Sequence, residues 1–166
     1  AVDPVARIAR ALEGSGVELA VWDLSTGDPA AITAEIAAFA PALIHAFHAY
    51  RTGPLALRLA LRSQVPLVVT CTGTDANHDL DDPARAEVVR KVLKGAGRVT
   101  VFHSSIADRI LTVLPALRER LTVVPQSVDL STGETFDLAS RWALPPRRVL
   151  FVLPAGIRWV KNPTFP

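Results

Sequence analysis

A single cysteine, Cys71, occurs in 166 residues. No disulfide framework is therefore possible, and a reducing, cytoplasmic compartment is expected. No apolar run approaches the roughly 20 residues that a membrane span requires, and no leader pattern precedes the first helical segment. No Gly-x-Gly-x-x-Gly turn joins a strand to a helix, which argues against a dinucleotide-dependent oxidoreductase. The formal net charge is only +2, too small to point to nucleic acid. It is unevenly spread: 13 of the 18 basic residues lie from Arg85 onward, whereas 10 of the 16 acidic residues precede it. A basic second half suits phosphorylated ligands, although solvated helix faces account for most of these side chains. Fixed-period repeats and low-complexity tracts are absent too.

What the sequence does have is 49% hydrophobic residues, enough for one domain with a substantial core. The stretch over residues 41–79 organises the rest. Residues 42–47 and 67–71 are short apolar runs, as expected of strands buried on both faces of a parallel sheet. Between them Leu55, Leu59 and Arg62 on one side and Leu57 and Leu61 on another fall at helical spacing, and Gly53-Pro54 opens the helix. This is a β-α-β unit. Its polar residues gather where each strand stops: His48, Tyr50 and Arg51 after the first, Thr72, Gly73, Thr74, Asp75 and Asn77 after the second. In parallel α/β sheets, ligands bind beyond the carboxyl ends of the strands.

Asp3-Pro4 and Asp28-Pro29 are cap-and-proline starts, for helices from residue 5 and over 30–38. Asp82-Pro83 is a third, for a helix running to about Lys94. Strands are expected over residues 17–22, 98–102, 121–124 and 149–153. A helix over 104–114 carries Ser105 and Asp108 at capping-box spacing. Alternation of this kind specifies an α/β, Rossmann-like doubly wound parallel sheet. Both ends look cut, because no strand and Gly-containing turn precede the first helix and a new strand begins near residue 149. The chain reads as residues 1–146 of one domain, with its first strand missing, and residues 147–166 opening a second.

Five segments in order carry a family resemblance: LIHAFHAYRTG, PLVVTCTGTDAN, GRVTVFHSSIADRI, LTVVPQSVDL and VLFVLPAGIRWVKNP. Together they resemble the group 1 retaining glycosyltransferases, family 4 of the GT-B class. Ser127 stands where the family usually has Gly, and Arg158 lies three residues before Lys161 rather than the usual five. The resemblance implies two Rossmann-like domains facing across a cleft, the first holding the acceptor and the second the nucleotide sugar. It further implies transfer from a nucleoside-diphosphate sugar, with retention, to a small-molecule, glycan or lipid acceptor. No cofactor and no metal are implied beyond the nucleotide sugar itself, and peripheral membrane association is not indicated.

By that resemblance His48 is the candidate catalytic residue, placed beside the acceptor and the reacting sugar. Tyr50, Arg51, Gly73, Thr74, Asp75 and Asn77 are candidates for the acceptor. Arg158 and Lys161 are candidates for the donor diphosphate, a bidentate fork and a point charge respectively. His45, inside the strand, is expected to be a structural core histidine and Cys71 a core residue. Asp75-x-Asn77-x-Asp79 lacks the Gly and Glu of a calcium loop. The Gly-rich turn of the first strand and the later acidic pair of the donor domain are missing from these residues, so the 166-residue chain alone is expected to be inactive. The alternative is a non-catalytic sugar- or nucleotide-binding domain of the same fold.

Overall fold

Four short segments, Ile44–Phe47 (β1), Leu67–Thr70 (β2), Arg98–Val101 (β3) and Leu121–Val123 (β4), pair in parallel as one sheet in the order β1-β2-β3-β4. The computed structural model in which they are seen describes residues 4–126, 137–145, 149 and 151. The helices are Pro4–Leu12 (α1), Pro29–Phe39 (α2), Gly53–Ser63 (α3), Ala86–Gly95 (α4), Ser104–Val113 (α5) and Leu138–Arg141 (α6). Asp75–Asp79 is a π-helical turn and Pro115–Arg120 a 3₁₀ segment. The expected α/β, Rossmann-like parallel sheet flanked by helices is present.

The alternation of side chains along a strand divides the sheet into two faces. Ala46, Val69, Val99 and Val101 point into a buried core with Leu57 and Ala60 of α3, Val89, Val92 and Leu93 of α4, and Ala107 and Ile110 of α5. The opposite face is less covered than expected. There His45 is exposed, and Phe47, Val68 and Thr100 are half-buried. His45 is therefore not a core histidine. Its Nε2 pairs with Thr70 Oγ1 at 2.7 Å, Thr70 Oγ1 pairs with Thr100 Oγ1 at 2.6 Å, and its ring stacks on Phe47. Cys71 is buried, as expected.

The start of α2 follows the sequence closely. Asp28 accepts hydrogen bonds from the N–H groups of Ala30 and Ala31, and Pro29 begins the helix. Three other expectations differ. Residues 17–22 form no strand; Val17, Leu19 and Val21 are exposed, and no ladder partner meets them among the described residues. Trp22 turns instead to α2, donating its indole N–H to Glu35 at 2.9 Å and meeting the Phe39 ring edge-on. Asp82-Pro83 opens a turn, with Ala84 N–H donating to Asp82 Oδ1, and α4 starts only at Ala86. The N-cap of α5 is His103, whose Nδ1 accepts from Ser105 N–H, so Ser105 and Asp108 form no capping box.

The chain divides into two units, one over Pro4–Ser127 and one comprising Val128–Pro166 with Ala1–Asp3. The sheet belongs to the first. In the second, Asp137 caps the single turn of α6 by accepting from Ala139 and Ser140 N–H. Val149 and Phe151 are exposed. The expectations for Asp3, Ser127, Arg158 and Lys161, and most of those for 149–153, lie outside the described residues. No described helix is long and apolar enough to cross a membrane.

Candidate functional site

The carboxyl ends of β1 and β2 lie side by side because Phe47 is in register with Thr70. Each strand runs into a turn that a polar side chain must organise, since the backbone amides there have left the ladder. In the first turn that side chain is His48, at φ 86°, a left-handed conformation uncommon outside glycine. Its backbone N–H still donates to Thr70 O at 2.9 Å. Its Nδ1 lies 3.3 Å from the N–H groups of both Tyr50 and Arg51, and its carbonyl accepts from Thr52 and Gly53 N–H. His48 thus satisfies amides that precede and begin α3. Thr52 adds its hydroxyl to Phe47 O and His48 O.

The second turn is organised by Asp75, which has no exposed surface. Its carboxylate accepts from the N–H groups of Ala49 at 2.8 Å, Thr72 at 3.0 Å, Gly73 at 3.0 Å and Ala76 at 3.2 Å. Gly73 supplies the φ of 122° that this turn requires. Asp75 therefore ties the two turns together from inside. That differs from the expected direct contact with an acceptor hydroxyl, because backbone amides already use both oxygens. Thr72, Thr74 and Asn77 are exposed on the same turn, Tyr50 is half-buried and Arg51 exposed.

Two residues that the sequence reading did not assign to the site complete the arrangement. Asp79, four residues beyond Asp75 on the π-helical turn, is 2% exposed and faces His48, with its Oδ2 3.9 Å from Nε2. Asp75 Oδ2 stands 4.0 Å from Nδ1, so two buried carboxylates bracket one imidazole. Arg85 Nη1 donates to Asp79 Oδ1 at 2.8 Å, and its guanidinium lies 5.1 Å from the centre of the Tyr50 ring. The i, i+4 spacing of Asp75 and Asp79 was the available signal, since it places both on one helical face. Arg109 of α5 pins the turn from behind by donating to Ala76 O at 2.9 Å, to Asn77 O and to Asp81.

Electrostatics leave His48 neutral. Burial lowers its pKa, the Asp75 carboxylate opposes that, and Arg51 reinforces it, with Asp79 and Arg85 adding smaller opposed effects. Desolvation of the part of its ring that lies against Thr70 and Phe47 also lowers the pKa of His45, although the residue as a whole is exposed. Burial first, and then the Asp75 charge, push the Cys71 thiol well up, so it stays protonated and is no nucleophile. A histidine whose folded pKa is depressed takes up its proton more readily in the unfolded chain. Stability is then whole above the ordinary value of 6.5 and declines as the pH falls below it. Urea midpoints are accordingly expected to fall between pH 7.5 and 5.5, and His45→Gln to flatten that decline. A slope unchanged by the substitution would contradict the assignment for His45. Among the described residues no cluster of three or more His, Cys, Asp or Glu is arranged to hold a metal.

The arrangement offers a rigid polar edge made of a neutral imidazole, an aromatic hydroxyl, a cationic arginine and exposed hydroxyl and amide groups. It can orient a polyhydroxyl ligand but contains no activated covalent nucleophile. Residues 22–132, which include every candidate named on this edge, match the family described as Glycosyltransferase Family 4. A Xenopus tropicalis protein, glycosyltransferase 1 domain-containing protein 1, is 25% identical to the chain over 114 residues. That alignment covers 65% of this chain and 33% of the relative.

Proposed function

The chain belongs to glycosyltransferase family 4, and from that premise we propose that its sheet edge is the acceptor half of a sugar-transfer site. The reaction proposed is movement of a sugar from a nucleoside-diphosphate sugar to a small-molecule, glycan or lipid acceptor, with retention of configuration. The observation that carries it is the convergence of His48, Tyr50, Arg51 and the second turn, where Thr72, Thr74 and Asn77 are exposed and Gly73 is half-buried, on one strand-end edge inside the family match. As the bond to the diphosphate breaks, charge grows on the leaving group and the acceptor oxygen must be held in line. Tyr50, Arg51, Thr72, Thr74 and Asn77, set around the nearly enclosed His48 ring, would do the second task. Arg158 and Lys161, beyond the family match, would do the first, together with a donor-side domain. No cofactor is required.

A second reading, a non-catalytic sugar- or nucleotide-binding domain, is favoured by one specific observation. The His48 ring is almost enclosed, and Asp75 is committed to the backbone. Mass-spectrometric assay of a panel of nucleotide sugars and acceptors separates the two. The 166-residue chain alone is expected to transfer nothing, and a longer protein pairing it with a donor-side domain is expected to turn over. A longer protein that binds nucleotide sugars without transfer would establish the binding module instead.

A further inference from the structure

We propose that Asp79 is a positioning residue for His48, holding the imidazole with its proton on Nε2 and keeping negative charge behind the ring at the point of transfer. The inference rests on the functional reading above. Its geometry begins at Nδ1, which faces two backbone N–H groups, those of Tyr50 and Arg51, at 3.3 Å. Only an unprotonated nitrogen can accept there, so a neutral ring carries its hydrogen on Nε2. That Nε2 is buried and has no hydrogen-bond partner. A buried donor left unmatched is destabilising, and the group opposite it is the Asp79 carboxylate, 3.9 Å away. An anionic oxygen on that side lowers the energy of the tautomer whose N–H dipole points toward it.

Asp75 cannot take this part, because its oxygens accept from Ala49, Thr72, Gly73 and Ala76. Asp79 has only Oδ1 engaged, by Arg85, so Oδ2 is left for the ring. Its place is fixed from two sides. Arg109 grips the carbonyls of the π-helical turn, and Arg85 spans from Asp79 to the Tyr50 ring. The charged groups acting on His48 are Asp75, Asp79, Arg51 and Arg85. A sugar carbon losing its diphosphate becomes electron-poor. A neutral ring backed by a carboxylate suits that neighbour better than an imidazolium.

Nitrogen-15 imidazole spectra of the 166-residue chain give the tautomer and the titration midpoint of His48 directly. The wild type is expected to show the Nε2–H form. Asp79→Asn is expected to lower the midpoint and Arg85→Gln to raise it, since they remove charges of opposite sign. Arg85→Gln keeps the question answerable if Asp79→Asn fails to fold. Midpoints that stay put in folded variants, or an Nδ1–H tautomer in the wild type, overturn the proposal whether or not any sugar is transferred. In the longer protein, Asp79→Asn is expected to cut kcat at least tenfold while KM stays within a factor of three. Shifted midpoints in a longer wild-type protein that transfers nothing uphold the positioning of His48 and count against the glycosyltransferase reading alone.

Discussion

Asp75→Ala is expected to cost the Pro4–Ser127 unit about 4 kcal/mol of stability, the largest loss from any single change at this edge. The carboxylate is fully buried and accepts four backbone N–H groups from two turns that are far apart in sequence. A hydrogen bond to a charged group contributes roughly 1.5–3 kcal/mol, and an amide left without its acceptor inside the protein loses more than it would in water. The four losses do not add, since Thr72 is exposed and its turn can rehydrate. Asp75→Asn keeps the shape but turns an NH₂ group toward donors, so roughly half the cost is expected. Urea unfolding at pH 7.5 measures both. A loss below about 1 kcal/mol for Asp75→Ala would show that the turns are held by something other than this carboxylate.

His48→Asn is expected to remove about 99% of transfer activity, a hundredfold effect typical of losing one positioned polar group beside a reacting centre. Asparagine is the informative replacement because it tolerates the positive φ that His48 adopts. Alanine at φ 86° would add backbone strain to the loss of the ring and blur the outcome. The side chain of asparagine can still accept from Tyr50 or Arg51 N–H, so the start of α3 keeps part of its support. What it cannot reproduce is the Nε2 donor opposite Asp79.

The β1-α3-β2 unit was readable from sequence because its signals are local. Short apolar runs, a Gly-Pro helix start and polar residues at both strand ends agree with one another, and the structure places them as expected. Asp28-Pro29 was readable for the same reason. The residues 17–22 misled because alternating valine and leucine describe a strand only if another strand offers an edge, and that is a tertiary fact. Ser105/Asp108 is an equally good capping pattern that His103 pre-empted, and Asp82 closed a turn on Ala84 N–H before α4 began. Around the candidate site, the sequence indicated that the ends of β1 and β2 would be neighbours but not the direction of the side chains there. Asp75 was expected to face a ligand and instead faces the backbone of the neighbouring turn. The partnership of His48, Asp79 and Arg85 spans residues 48 to 85, and only the folding of two turns against each other creates it.

The central claim is that the strand-end edge around His48 forms half of a sugar-transfer site. Turnover of a nucleoside-diphosphate sugar by a protein joining this chain to a donor-side domain, wild type and His48→Asn side by side, tests it most directly. The account predicts a fall in kcat of about a hundredfold with nucleotide binding retained; equal turnover by the two proteins would contradict it.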